Sequence, residues 1–409
     1  MKSKSGTTTY NLFTFFSLYI AQSIPMSFFA TALPVLMRQG NYSLFAIALL
    51  KLIKLPWIVK FLWSPLVDSR TDTTRQYKRW ILGAEIVYAA IIFVVAMLDI
   101  QTDFSLIILL ILLAFIASAT QDIATDAMAA RAFERKDSSL LNSIQSMGSF
   151  TGSMVGGGFL LLLFHQMGWS KMLPWVAVFV LIALIPLVVN KQIQLRERKN
   201  TKKASPKDML LFFTQKGIWR QIVFLVLFYA GLIGILSSLS PFLVDKGYNI
   251  KEIGAMVGIF GVSTGIFFSF VSGIFIRKIG KQRARKIIAF FILIPAVYFI
   301  WLISNETPSY GLILTGVALV WSIYGMASTF INTSAMDIVR DGREGTDFTI
   351  QIVLTHLGAM IITLVSAKVG DVLGFKGLFI MELVIAAISL IFVLFTRPYT
   401  LDVEKEFLK

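Results

Sequence analysis

Apolar residues occur along the whole chain in long runs, and short polar intervals separate these runs. Twelve runs can be distinguished, and they are numbered here as segments one to twelve. In chain order the segments cover residues 9–37, 44–67, 79–98, 104–130, 139–164, 172–190, 217–245, 252–276, 285–304, 309–338, 346–367 and 376–396. A helix of about twenty apolar residues is long enough to cross the hydrocarbon core of a bilayer. The pattern therefore predicts an all-α membrane protein with twelve transmembrane helices.

The longest polar interval divides the twelve segments into six and six. Two sets of six helices are typical of transporters built from two structural repeats, here two pseudo-symmetric bundles. The predicted organisation is an N-terminal six-helix bundle at 1–190, a cytoplasmic linker at 191–216, a C-terminal six-helix bundle at 217–396 and a cytoplasmic tail at 397–409. Within the linker, the sequence KDMLLFF (207–213) predicts a short interfacial amphipathic helix.

Composition supports the membrane prediction and argues against a soluble protein and a nucleic-acid-binding protein. The chain is 56% hydrophobic and only 15% charged, whereas a soluble protein has about a quarter of its residues charged. The net charge of +15 comes mainly from one side of the predicted topology, which holds 29 of the 38 Lys and Arg residues. By the positive-inside rule both termini are then cytoplasmic, and nucleic acid is not an expected partner.

Motifs for catalysis and for cofactor binding are missing from the sequence. There is no cysteine, the two histidines are widely separated, and no phosphate-binding G-x-x-x-x-G-K-[ST] loop occurs. We therefore expect no metal, no cofactor and no enzyme activity. A membrane enzyme or scaffold is the alternative class of protein, and no motif favours it.

Segment four carries two carboxylates near the end of an otherwise apolar helix. Asp122 and Asp126 are four residues apart, so they share a helical face, and Ser118 and Thr125 lie near it. Carboxylates in such a position are costly in lipid and are typical of a cavity-facing functional site. We predict that both carboxylates take part in proton coupling. The alternative is a structural ion pair of Asp126 with Arg131 or Lys60.

Segment two carries three lysines. Lys51 and Lys54 share a helical face, and we predict that one of them is a counter-ion for the segment-four carboxylates or for an anionic solute. Lys60 is turned away from Lys54 on an ideal helix, so we expect it at the cytoplasmic interface or paired with Asp126. Snorkelling to the interface is the alternative for all three lysines.

Glycine repeats in segments five and eight predict close packing of helices. Segment five contains Gly148, Gly152 and Gly156 at four-residue spacing, and segment eight has two such pairs. Small residues at this spacing let neighbouring helices approach closely.

Six stretches carry a resemblance to a known group of membrane proteins. They are YIAQSIPMSFFATALPVLMRQG (19–40), LPWIVKFLWSPLVDS (55–69), QDIATDAMA (121–129), PFLVDKGYNIKEIG (241–254), SGIFIRKIGKQRARK (272–286) and GTDFTIQ (345–351). The stretch at 272–286 resembles a loop signature of the major facilitator superfamily. The others resemble its branch of AmpG-type muropeptide permeases and RhtX/FptX-type siderophore importers.

The resemblance implies that segments one, four, seven and ten line a central solute site. The residues expected to bind solute are Tyr19, Gln22, Lys51, Lys54, Ser118, Gln121, Tyr229, Ser237, Trp321, Tyr324 and Asn332. Polar groups beside aromatic rings suit a substantial organic solute. The alternative for the hydroxyl groups is a hydrogen bond to their own helix backbone.

The resemblance also implies a gate at the cytoplasmic ends of the segments. The residues expected to form it are Asp68, Arg75, Lys78, Arg79, Arg131, Asp337 and Arg340. We expect an ionic latch that stabilises the outward-open state. The alternatives are simple positive-inside charge for the cations and a structural ion pair for Asp337. Separately, Thr346 or Asp347 is predicted to cap segment eleven.

Together these features predict a proton-coupled importer that works by alternating access and is driven by the proton gradient. Its solute would be a bulky, anionic organic molecule, either a siderophore or a peptidoglycan-derived muropeptide. The resemblance places it in the bacterial inner membrane, and twelve segments are enough for a monomer. A proton-coupled exporter with the same fold is the alternative, because the sequence does not encode direction.

Overall fold

The computed structural model describes residues 9–39, 53–100, 102–198, 202–305 and 307–399. These residues form helices joined by turns and short extended stretches, and no strand occurs among them. The predicted fold class, an all-α membrane protein, is confirmed.

The helices of the first half correspond to segments one to six. They are Thr9–Gln39, Leu55–Val59, Ser64–Ser69, Thr74–Ala96, Phe104–Ala132, Ser138–Met154, Leu160–Met167, Trp169–Ala183 and Ile185–Val189. Segment two also contains a 3-10 turn at Lys60–Leu62, and segment five a π-helical turn at Val155–Phe159.

The helices of the second half correspond to the linker helix and segments seven to twelve. They are Lys207–Phe213, Trp219–Leu227, Ala230–Asp245, Ile250–Ile253, Val262–Ile279, Lys281–Phe291, Leu293–Ile303, Tyr310–Asp337 and Glu344–Phe395. A π-helical turn at Gly254–Gly261 lies within segment eight.

Nine helical stretches of the described residues are long and apolar enough to cross a membrane. They account for segments one, three, four and six to ten, and for segments eleven and twelve taken together. Segment five is helical but more polar, with several Ser and Gln side chains. Segment two lies partly in residues 40–52, which are outside the described ranges.

Segments eleven and twelve are two helices within Glu344–Phe395, and they meet at a kink at Gly374. Gly374 has φ 65° and ψ 179°, a backbone conformation that glycine adopts without a steric penalty. The sequence pattern ended segment eleven at residue 367, but the helix continues through Lys368 and Asp371 up to this glycine. An apolar run shows which part of a helix can lie in lipid, but the helix itself can extend beyond that run.

Two compact units follow the halves of the sequence except for two exchanged stretches. The first unit comprises Met1–Glu134, Met147–Pro206 and Glu344–Thr349. The second comprises Arg135–Ser146, Lys207–Arg343 and Ile350–Lys409. The start of segment five therefore belongs to the second unit, and the start of segment eleven to the first.

The first part of the predicted linker is bound along the ends of segments three and four. The Thr74 hydroxyl donates to the Ile193 carbonyl at 3.5 Å, and the Arg196 amide donates to the Arg131 carbonyl at 3.0 Å. Further along, the predicted helix at KDMLLFF is confirmed as Lys207–Phe213. Its location at the membrane interface stays a prediction.

The glycines of segment five lie against segment one, in the first unit. A methyl group on Gly152 would be 2.5 Å from the Cβ of Ser23, and one on Gly156 would overlap the carbonyl oxygen of Ile24. The predicted close helix packing is therefore confirmed for this repeat.

Candidate functional site

Segment four buries its polar residues inside the first unit. The buried polar residues on the second half of helix Phe104–Ala132 are Ser118, Gln121, Asp122, Thr125, Asp126 and Arg131. Their spacing of three and four residues keeps Ser118, Asp122 and Asp126 along one side of the helix. This side of segment four is buried against protein and does not face lipid; that it lines a cavity stays a prediction.

Asp122 forms a buried ion pair with Lys60. The Lys60 ammonium contacts Oδ2 of Asp122, while Gln22 Nε2 donates to Oδ1 at 2.8 Å. Lys60 is only 1% exposed and Asp122 only 3%. The ammonium also lies 4.8 Å from the ring centroid of Trp57. Both charges are thus removed from solvent and neutralise each other, which a buried ion needs in order to be stable.

The prediction for Lys60 was wrong. The lysine neither reaches the cytoplasmic interface nor pairs with Asp126; it is buried and pairs with Asp122. Lys60 does point away from the exposed Lys54, as spacing on a helix predicts. Its partner is set by the packing of this part of segment two against segment four, which brings the ammonium to Asp122.

Lys54 of segment two does not supply the counter-ion. Lys54 is exposed, and within the described part of the chain the cation on Asp122 is Lys60. The prediction that Lys54 neutralises the segment-four carboxylates was therefore wrong. Lys51, named as its equivalent, lies outside the described residues.

Asp126 is held by segment one. The Tyr19 hydroxyl donates to Oδ1 of Asp126 at 2.8 Å, and both side chains are buried. Arg131, the predicted alternative partner, donates instead to the backbone carbonyls of Asp72 at 3.0 Å and Arg196 at 2.8 Å. Segments one and four thus meet through two carboxylates and their donors.

Several polar atoms beside the ion pair have unused hydrogen-bonding capacity. Gln121 has no partner for either amide atom among the described residues, and Gln22 Oε1 and Thr125 Oγ1 are likewise unpaired there. Buried polar atoms are nearly always hydrogen-bonded in stable proteins. These three side chains therefore have donors or acceptors left for a further polar partner.

Glu85 in segment three is a second buried acid that sequence reasoning left unassigned. It is fully buried, and neither carboxylate oxygen has a partner among the described residues. It lies on the buried face of its helix with Ile81 and Tyr88. An ionised carboxylate without a partner is very costly in such a place, which favours the neutral acid.

The predicted solute-binding residues of the second unit are three aromatic residues, one serine and one asparagine. The rings of Tyr229 and Tyr324 are 6.1 Å apart, and those of Trp321 and Tyr324 are 5.8 Å apart. Ser237 donates to the carbonyl of Gly234 in its own helix, which is the structural role expected of a helical serine. Asn332 is half-buried. The aromatic residues of segments seven and ten therefore form a cluster, whereas the Ser237 hydroxyl is bound to its own helix backbone.

Asp68 caps segment eleven. Its carboxylate accepts from the amides of Gly345 at 3.0 Å and Thr346 at 2.7 Å, and from the Thr346 hydroxyl at 2.7 Å. Segment eleven begins at Glu344, so Thr346 and Asp347 lie inside its first turn. The prediction that one of these two residues caps the helix was wrong; the cap comes from a carboxylate 278 residues away along the chain.

The cations of the predicted latch do not pair with Asp68. Arg75 and Arg79 are exposed, and Lys78 binds the Asn190 carbonyl. Arg131 of the predicted gate lies 4.0 Å from Glu344 in an ion pair. The shorter ion pairs belong to Arg198 of the linker, which was not predicted from the sequence. Its guanidinium contacts Asp72 at 2.6 Å and Glu344 at 2.9 Å.

Asp337 and Arg340 are both bound within the second unit. Asp337 forms an ion pair with Lys281 at 2.5 Å and accepts from the Ser138 hydroxyl at 2.9 Å. Arg340 donates to the carbonyl of Asp208 at 2.7 Å. The two aspartate–arginine motifs that end segments four and ten therefore have different partners in the two units.

Removing the Asp68 cap should destabilise the protein moderately. We expect Asp68→Ala to lower the free energy of unfolding by about 1 kcal/mol, because the first amides of segment eleven lose their acceptor. Asp68→Asn keeps one acceptor oxygen and should retain most of this stability. Thermal unfolding of the purified protein measures the difference, and equal losses in the two variants would contradict the cap.

The contribution of Asp68 should also depend on pH. Burial raises the pKa of Asp68 to about 7, helped by the nearby Glu344 and opposed by the hydrogen bonds from Thr346 and Gly345. Because this pKa is above its ordinary value, the linked stability is complete in acid and is lost as the pH rises through about 7. The difference in unfolding midpoint between the wild type and Asp68→Ala should be larger at pH 5 than at pH 8. A constant difference would exclude this linkage.

Comparison with curated proteins finds relatives named as transporters. The chain is 22% identical over 402 residues to a Rickettsia conorii protein named as transporter AmpG 4, with 94% of this chain and 96% of the relative covered. It is 24% identical over 275 residues to the anhydromuropeptide permease of Escherichia coli K12, covering 66% of this chain and 56% of the permease.

Comparison with solved structures supports the fold. The fucose transporter FucP in an outward conformation superimposes with a TM-score of 0.70 at 15% identity, covering 96% of this chain and 99% of FucP. The human organic anion transporter MFSD10 gives a TM-score of 0.70 at 16% identity, covering 94% of this chain and 99% of that protein. The sequence profile of the Major Facilitator Superfamily matches residues 6–350. With its helical membrane fold and its buried charges, this chain therefore belongs to the major facilitator superfamily.

Proposed function

We propose that this transporter is a proton-coupled importer of peptidoglycan-derived muropeptides, working by alternating access in the bacterial inner membrane with both termini cytoplasmic. The observation that carries the proposal is the buried Lys60–Asp122 pair, which lies beside Asp126 and the unpaired amide of Gln121. Muropeptides are bulky, polar and anionic. The names of the AmpG relatives favour this solute over a siderophore.

The ion pair offers a physical basis for coupling. When a proton neutralises Asp122, the ammonium of Lys60 loses its counter-ion in a buried site and becomes available to a carboxylate of the solute. Binding of one proton and one carboxylate together leaves the net charge of the site unchanged. Because an unpaired buried charge is costly, binding of one favours binding of the other.

Polar groups around the pair are suited to the neutral parts of such a solute. Gln22, Gln121 and Thr125 have free hydrogen-bonding capacity, and Trp57 already lies against the Lys60 ammonium. Sugar hydroxyls and peptide amides require donors and acceptors of this kind, because each buried polar group of a solute must replace its bonds to water.

Uptake into proteoliposomes tests the proposal. Purified protein is reconstituted, and accumulation of radiolabelled anhydromuropeptide is measured with and without an inward proton gradient. We expect accumulation only with the gradient, and we expect Asp122→Asn to exchange solute across the membrane without concentrating it. A ferric siderophore in the same assay should give no accumulation.

The variant Glu85→Gln serves as the matched control, since Glu85 is another buried acid of the first unit and has no partner among the described residues. Coupling that survives in Asp122→Asn but is lost in Glu85→Gln would move the coupled proton to segment three. Accumulation driven by an outward gradient in place of an inward one would instead assign an exporter. No movement of muropeptide in either direction would refute the proposed solute.

A further inference from the structure

The second unit contains a cavity of about 300 Å³ at the end that carries its basic residues. It lies between the first turns of segments seven and nine and the last turns of segment ten, and Tyr399 closes one side. Asp122 and Lys60 belong to the first unit, so this cavity is separate from the proposed solute site.

Positive charge dominates the lining of the cavity. Four cations line it, Arg135, Arg220, Lys281 and Arg285, against one carboxylate, Asp337. Asp337 is already neutralised by its 2.5 Å ion pair with Lys281. Arg135 also interacts electrostatically with Asp337. Two arginines, Arg220 and Arg285, therefore remain without a carboxylate from the lining.

Arg285 is the unusual member of this group because it is buried. Its side chain is 6% exposed, and its guanidinium donates to the carbonyl and hydroxyl of Thr396 at 2.9 and 3.2 Å. It also lies 4.9 Å from the ring centroid of Phe224. In the part of the chain that the structure describes, no carboxylate forms an ion pair with it.

Membrane topology alone does not account for a buried arginine. The positive-inside rule needs cations near the ends of the segments, and an exposed side chain fulfils it at no desolvation cost. A buried guanidinium is stable only with good partners, and a neutral carbonyl and a ring compensate it less than an anion does. An anion bound in the cavity would therefore give Arg285 the charged partner that the lining does not supply.

The remaining walls indicate the kind of anion. Phe224, Phe330 and Tyr399 supply aromatic surface, and Gln282 supplies an amide group. Arginine binds phosphate and carboxylate oxygens through paired N–H groups. The cavity has room for one such oxyanion with a short apolar or polar substituent.

We propose that this cavity binds the phosphate or carboxylate group of a small anion, with Arg285 and Arg220 as its main ligands. An anionic phospholipid headgroup and a soluble cytoplasmic phosphate compound present the same chemistry. The site is independent of the muropeptide proposal, because it uses neither Lys60 nor the acids of segment four.

Thermal unfolding of the full-length protein in detergent tests the site. The probes are inorganic phosphate, phosphatidylglycerol and phosphatidylcholine. We expect phosphate or phosphatidylglycerol to raise the unfolding midpoint by about 2 °C, as a ligand that binds only the folded state does. Phosphatidylcholine should give no such rise. Arg285→Gln should abolish the rise.

Arg283→Gln is the matched control, because Arg283 is an exposed cation on the same helix that does not line the cavity. It should respond like the wild type. If Arg285→Gln does not fold, the exposed lining residue Arg220 replaces it in the test as Arg220→Gln. A response to phosphatidylglycerol alone assigns a lipid, and a response to phosphate assigns a soluble anion. Equal shifts in all variants, or no shift of the wild type with either anion, would overturn the site.

Discussion

Replacing Lys60 with Met is expected to lower the free energy of unfolding by about 3–5 kcal/mol, the cost of breaking a buried ion pair from one side. The carboxylate of Asp122 would stay buried with only Gln22 as its donor. The apolar methionine itself fits a buried position. The loss of stability therefore comes from the Asp122 carboxylate, which no longer has a cation beside it. Chemical or thermal unfolding of the variant in detergent measures it.

Two further variants separate this effect from a general loss of packing. Lys54→Met changes an exposed lysine of the same segment and should alter stability by less than about 0.5 kcal/mol. Adding Asp122→Asn to Lys60→Met removes the unpaired carboxylate charge. The double variant should recover most of the lost stability, because a neutral amide can still accept from Gln22. The ion pair would be unimportant if Lys60→Met and Lys54→Met were equally stable, or if the double variant were the least stable of the three.

Replacing Gly156 with Ala is expected to destabilise the first unit by about 1–3 kcal/mol, the usual cost of overpacking. The new methyl group would overlap the carbonyl oxygen of Ile24 in segment one. A backbone atom cannot rotate away as a side chain can, so the two helices would have to separate.

Gly158 provides the control in the same π-helical turn. No atom lies within 4 Å of the position that a methyl group would take there. Gly158→Ala should be neutral or should stabilise the helix by up to about 1 kcal/mol, because alanine favours helix over glycine. Equal destabilisation by the two substitutions would mean that the turn needs flexibility, and that the close approach to segment one is not the cause.

The helices were the most predictable part of this protein. A bilayer requires about twenty apolar residues in each crossing helix, so hydropathy alone located the segments and gave the fold class. Helix ends were less predictable. Segment eleven continues through charged residues to Gly374, because a helix persists wherever its backbone bonds are satisfied, whether or not lipid surrounds it.

The polar face of segment four was also predictable, since spacing along a helix fixes which residues share a side. The partners of that face were not. Lys60 and Lys54 are the same residue type in one segment, and only the packing of segment two against segment four brings Lys60 to Asp122. Spacing within one helix does not show which residue of a neighbouring helix a side chain contacts.

The sequence by itself determined the membrane character, the apolar segments, the acidic face of segment four and the close approach at the glycines of segment five. These properties depend on composition and on spacing within one helix. The tertiary structure alone decided that Lys60 neutralises Asp122, that Asp68 caps segment eleven and that Arg285 lines a basic cavity. Each of these joins residues far apart in the chain, and such contacts depend on how helices pack and turn in three dimensions.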